Sequence, residues 1–205
     1  MTYSKLLRLN VSMGLAIGAL FVFSTVVVAQ NAATIIMRDA CDPDTFNARL
    51  GPGHCIAGQH GTTLFALFIA ELTSDQIAGA WRFNPLLNAS GDVFSLVTLN
   101  LTAGQQIQIQ NLGGETHTFT RVAKFGGGAK PLLNALSGNP VVAPECANAL
   151  QQESDTNFIV EAGTAQAGPT AGTSALPEET TNWECCIHPW MRLRVSVNQG
   201  QQGQQ

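Results

Sequence analysis

The chain predicts an all-β fold, a Greek-key sandwich, and three features point there. Its apolar runs are mostly short and alternate with polar residues at period two. Gly and Pro turn signals separate those runs, and no helical period recurs along the chain. At 205 residues it is long enough for one such domain with insertions and a core of its own.

The first 29 residues read as lying outside that domain. Lys5 and Arg8 precede an apolar run from Val11 to Val28, and Val27-Val28-Ala29 offers small residues for cleavage before Gln30, the pattern of an export signal. The run approaches the ~20 residues of a membrane span, so an uncleaved anchor is the alternative. Either reading sends residues 30–198, the expected domain, to a periplasmic or extracellular location. Cleavage would remove 29 of 205 residues, leave 176 with no stable membrane insertion, and shift the net charge from −4 to −6 through loss of Lys5 and Arg8. That mildly acidic balance speaks against nucleic acid as a partner.

Taken in order, Thr34 to Arg38 is a β-branched run fit for a first strand. Cys41 to Cys55 carries Pro43, Gly51, Pro52 and Gly53 and reads as a loop. Thr62 to Glu71 is an apolar run that periodicity leaves open between strand and short helix; Gly61 and the adjacent threonines favour a strand. Ala80 to Asn84 and Val93 to Leu101 continue as strands, split by Pro85 and Gly91.

From Gln105 the alternation is clean. Ile107 and Ile109 point one way and Gln106, Gln108 and Gln110 the other, as in a half-buried antiparallel strand. Gly113-Gly114 turns the chain into Thr116 to Val122, where His117 and Phe119 share the core-facing side. Residues 124–156 are loop-like, with Pro131 to Leu136 able to make one helical turn behind its proline. Asn157 to Glu161 reads as a strand, and Gly163 to Pro177 as a mobile connection. Trp183 to Cys185 and Leu193 to Val197 then form two strands around a short loop. Residues 199–205 are a Gln/Gly tail expected to be disordered.

That last loop, Trp-Glu-Cys-Cys-Ile-His-Pro-Trp-Met from Trp183 to Met191, carries the chemistry. Cys185, His188 and Met191 stand at a Cys-x-x-His-x-x-Met spacing and place a thiolate, an imidazole and a thioether on one loop. Trigonal His₂Cys coordination with a weak axial Met is a copper arrangement that serves both Cu(I) and Cu(II). A second histidine must come from elsewhere, and His117, in Asn111-Leu-Gly-Gly-Glu-Thr-His-Thr-Phe, is the best candidate.

With both elements in view, the chain resembles the cupredoxins, and its Cys-x-x-His-Pro-aromatic-Met loop is most similar to that of amicyanin and plastocyanin. Asn111, six residues before His117, matches as well. Thr118 stands where these relatives usually carry an Asn that ties the two ligand loops together. The resemblance spans roughly residues 105–197. It implies a cupredoxin-like Greek-key β-sandwich with a long loop insertion and a disulfide-stapled N-terminal extension. It also implies one type 1 copper held by His117, Cys185, His188 and Met191. On this reading His188 brings one ring edge to the surface as the electron's exit, Pro189 and Trp190 surround that edge with apolar surface, and Met191 tunes the potential.

The five cysteines agree in number. With Cys185 on copper, four remain for two disulfides. Cys41 and Cys55 bracket one loop, and a bridge over ~15 residues is worth about 3 kcal/mol. Cys146 and Cys186 are the remaining pair, left open, and Cys146 would pin the 124–156 loop near the copper end. His54 and His60 read as solvated side chains, since no carboxylate or Cys spacing supports a second metal there. Neither a Ser-His-Asp pattern, nor paired carboxylates, nor a phosphate loop stands out, and four histidines are too few for a multicopper enzyme.

The expectation is therefore an exported, monomeric, non-enzymatic blue copper protein passing single electrons between an unidentified redox protein donor and acceptor. A Cu(I) storage or delivery module, and a disulfide-stabilised surface domain with Cys185 oxidised, are the alternatives.

Overall fold

A computed structural model describes residues 32–56, 63–74 and 97–198. Eight strands and three helices follow in order: β1 (Ala33–Met37), α1 (Pro43–Leu50), α2 (Phe65–Ser74), β2 (Val97–Thr102), β3 (Gln106–Asn111), β4 (His117–Val122), α3 (Pro131–Leu136), β5 (Asn157–Val160), β6 (Ala165–Thr170), β7 (Thr180–Glu184) and β8 (Arg192–Asn198). They build the all-β, two-sheet sandwich that the sequence predicts. One sheet has the order β1-β3-β6 and the other β2-β8-β7-β4-β5.

Each sheet contains one parallel pair, β1 with β3 and β2 with β8; the remaining pairs are antiparallel. The reading of β3 as antiparallel holds only toward β6. Its alternation does what it should, since Ile107 and Ile109 are fully buried while the glutamines lie at or near the surface. The core forms where the two inner faces meet, Ile35, Met37, Ile107 and Ile109 from one sheet against Phe119, Trp183, Leu193 and Val195 from the other. Phe119 and Trp183 stack with centroids 4.3 Å apart, and Trp183 is fully buried with its indole N–H donated to Thr181 Oγ1 at 2.8 Å. The polar edge of the ring is thus satisfied inside an apolar layer.

Three segments differ from the sequence reading. The run after Thr62 is helix, α2, because Phe65, Phe68 and Ile69 recur at helical spacing and pack as one face; Phe46 of α1 meets Phe65 and Phe68 at 5.2 and 5.3 Å. The segment between Cys41 and Cys55 is not all loop. Asp42 caps α1 by accepting the Thr45 N–H at 2.8 Å, Pro43 occupies the first turn, and Gly51 ends it at φ 107°. Within the connection expected to be mobile, residues 165–170 form β6 on the edge of β3. The export segment, the strand expected over 80–84, His60 and the terminal tail lie outside the described residues.

Both disulfides form, Cys41 with Cys55 and Cys146 with Cys186, and leave Cys185 as a buried free thiol. The 124–156 insertion folds back onto the loop from Cys185 to Met191. Ala129 N–H donates to the Cys186 carbonyl at 2.6 Å, and α3 starts at Pro131 as expected. A Cβ on Gly128 would sit 2.1 Å from that carbonyl oxygen, so only glycine allows the approach. Among the described residues no helix is long and apolar enough to cross a membrane.

Candidate metal centre

Three strand ends meet at one edge of the sandwich. β4 begins with His117, and β7 ends at Glu184, one residue before Cys185. The turn from Cys185 to Met191 closes through Cys185 N–H to Met191 O at 3.0 Å and Met191 N–H to His188 O at 2.9 Å. The β7–β8 hairpin therefore fixes where the thiol and the second imidazole stand, and the β4–β7 pairing brings His117 beside them.

The donors converge. Cys185 Sγ lies 3.7 Å from His117 Nδ1 and 3.6 Å from His188 Nδ1, and the two Nδ1 atoms are 3.0 Å apart. For a metal bonded at about 2.0–2.1 Å to nitrogen and 2.3 Å to sulfur, a trigonal plane needs sides of roughly 3.5 and 3.8 Å. The triangle present here fits that demand, with the two nitrogens slightly closer. Met191 is buried beside the loop that carries Cys185 and His188.

Thr118 does the tying that the sequence resemblance assigned to Asn. Its backbone N–H donates to Cys185 Sγ at 3.2 Å, and its hydroxyl accepts the Cys186 N–H at 2.7 Å. A chain of hydroxyls continues the link, from Thr118 to Thr120 at 2.9 Å and from Thr120 to Asn157 Oδ1 at 2.6 Å. Asn111 holds the other side. Its amide donates to the carbonyls of Glu115 and Val160 at 2.7 and 2.9 Å and its oxygen accepts the Gly113 N–H, which fixes the turn leading to His117.

The outer face of the site departs most from expectation. His188 is 2 % exposed and Trp190 3 % exposed, so neither the imidazole edge nor the indole reaches solvent. Trp190 packs against Phe68 of α2 at 5.5 Å and against His188 at 5.3 Å. The N-terminal extension thus roofs the loop from Cys185 to Met191, and Trp190 is core.

Under that roof lies a polar cluster that the sequence reading missed. His188 Nε2 is 2.5 Å from Glu115 Oε2, His54 Nε2 is 3.6 Å from the same oxygen, and His117 Nε2 is 3.8 Å from Asp39 Oδ1. His54 is therefore no solvated side chain; it is 7 % exposed and faces a carboxylate. One signal pointed this way, since Glu115 precedes His117 by two residues within the quoted Asn111–Phe119 element; the pairing of Cys55, beside His54, with Glu115 is visible only in the fold.

Electrostatics follow from burial and these neighbours. Burial opposes ionisation of Cys185, but His117 and His188 outweigh it and hold the thiol well below its ordinary pKa. Burial likewise opposes charge on His188, yet Glu115 and Cys185 push its pKa up to about 10. His117 is raised in the same way against its burial, by Asp39 and Cys185, and Glu115 is lowered against its burial by His188 and His54. This environment favours the thiolate, the form that binds metal.

No protein-family profile matches the chain, and no curated protein sequence matches it. Among solved structures it is similar to a purple cupredoxin from Nitrosopumilus maritimus, at 15% identity over 49% of this chain and 77% of that one, TM-score 0.30. It is also similar to Cu(I) amicyanin carrying a methionine-to-alanine change, at 14% identity over 54% of this chain and 77% of that one, TM-score 0.29. A reduced amicyanin variant follows at 16% identity, 51% and 72% coverage and TM-score 0.29.

Proposed function

We propose that this protein carries single electrons on one copper ion, which His117 Nδ1, Cys185 Sγ and His188 Nδ1 would hold, with Met191 as a weaker further ligand. The convergence of two imidazole nitrogens and one buried cysteine sulfur within 3.7 Å of one another is the observation that carries this reading. Copper in such a donor set changes oxidation state with little rearrangement, which is the chemistry the group supplies when bound.

The residues present do the rest. Thr118 holds the Cys185 sulfur by its backbone N–H, the β7–β8 hairpin holds His188, and the roof of α1 and α2 keeps water from the ligands. Packed rings connect the site to the outer layer, from His188 to Trp190 and on to Phe68, and offer a route for electrons in place of an exposed imidazole edge. A closed roof also favours a resident ion over one stored for delivery, because exchange would require the roof to open. The reduced state of Cys185 likewise disfavours the disulfide-stabilised surface domain. Two disulfides suit an oxidising compartment and support export.

Adding Cu(II) to the purified protein tests the proposal. An intense thiolate-to-copper visible band should appear and be absent in Cys185→Ser. A wild-type protein that stays colourless refutes it.

A further inference from the structure

The outer ends of the ligand histidines face the second group of donors, with charges that the copper site alone leaves unbalanced. Asp39 and Glu115 are 5 % and 4 % exposed, and their carboxylates approach within 4.8 Å of each other. Both Asp39 oxygens and the Nε2 atoms of His54, His117 and His188 are buried without an aligned hydrogen bond. His188 Nε2 and Glu115 Oε2 are close but poorly aimed. Among the described residues no Lys or Arg pairs with either carboxylate. Formally, the thiolate and two carboxylates carry three negative charges, while a copper ion supplies two positive charges when oxidised and one when reduced. Burying uncompensated charge is costly, and orphaned buried polar atoms call for a partner.

From this we infer that His54 Nε2, Glu115 and His188 Nε2 bind a second divalent cation of the zinc class, with His188 bridging it to the copper site. The donor atoms lie within 4.8 Å of one another, and two histidines with one carboxylate form an established zinc-binding set. The second cation replaces the Nε2 proton of His188, which passes to solvent, and Glu115 moves outward slightly to admit it. Asp39, beside Glu115, adds charge rather than a required ligand. The fold presents these donors deliberately. The Cys41–Cys55 bridge fixes His54, and Cys55 pairs with Glu115 as an isolated strand bridge, with Ile56 N–H donating to Gly114 O at 2.7 Å. A cleft of about 270 Å³, lined by His54, Gly53, Thr116, Lys130, Glu161 and Ile187, lies beside His54 on that side. The bridge rests on the copper reading, whereas the His54-Glu115-His188 site does not.

Metal counting tests it. Copper-loaded protein equilibrated with Zn(II) and desalted should hold one zinc beside its copper. His54→Ala should bind that zinc about 10- to 100-fold more weakly while keeping the visible copper band, because His54 supplies no copper donor and meets the His188 ring only edge-on, with centroids 6.0 Å apart. Copper-loaded wild type that retains no zinc overturns the inference, as does zinc held equally by wild type, His54→Ala and Glu115→Gln. If the chain takes no copper, zinc titration of Cys185→Ser still decides. One equivalent, lost when His54→Ala is added, supports the site, and none overturns it.

Discussion

The Nδ1 atoms of His117 and His188, 71 residues apart in the chain, stand 3.0 Å from each other and within 3.7 Å of the Cys185 sulfur. No helix or single loop could hold them so; the β4–β7 pairing does. Replacing His117 by Ala leaves one imidazole and the thiolate. We expect copper affinity to fall and the intense visible band to be lost or replaced by a weaker one, measured by optical titration with Cu(II). An unchanged band would remove His117 from the site.

Thr118→Val keeps the shape of the residue and deletes the acceptor for the Cys186 N–H. A buried donor left unpaired costs about 1–3 kcal/mol. Urea unfolding of the metal-free protein should show a loss of this size, and the copper band should shift as the loop loses its tie. A variant as stable as wild type would mean that the hydroxyl chain through Thr120 is expendable.

Reducing the flap's tether tests its packing. Cys146 and Cys186 close a loop with a sequence separation of 40, and the double Ser variant should lose about 4 kcal/mol. Amide hydrogen exchange over residues 126–143 should rise, because Ala129 N–H is held by the Cys186 carbonyl and Gly127 pairs with Val141 and Ala143 in the segment behind it.

Glu184 gives a pH dependence. Burial pushes its carboxyl up to about 8 from an ordinary 4.5, against the opposing pull of the Gly126 N–H and Arg192. The folded state therefore binds a proton that the unfolded chain releases. The stability this confers is full below pH 4.5 and is lost as pH rises through about 8. Denaturant midpoints of the metal-free protein across that window should decline in wild type and decline less steeply in Glu184→Gln. Parallel slopes in the two proteins would contradict the assignment.

The sequence by itself determined what is local. Period-two alternation placed Ile107 and Ile109 in the core and turned Leu193, Val195 and Val197 inward, because neighbouring side chains on a strand must point to opposite faces. It put Trp183 and Cys185 on one side and sent Cys186 to the other, where it meets Cys146. Cysteine parity left one thiol over, and the Cys185-His188-Met191 spacing needed no tertiary information to be seen.

Only the tertiary structure decided the rest, since it depends on what distant segments bury. The run at Phe65–Ser74 is helix because Phe46 and Trp190 offer it a surface for one helical face; its own residues left strand and helix open. Residues 165–170 became a strand because β3 presented an unpaired edge. The covering of His188, and the cluster of Asp39, His54 and Glu115 behind it, arise where three segments far apart in sequence close over one edge of the sandwich. Burial and charge balance there are sums over those segments, and no single stretch of the chain contains the sum.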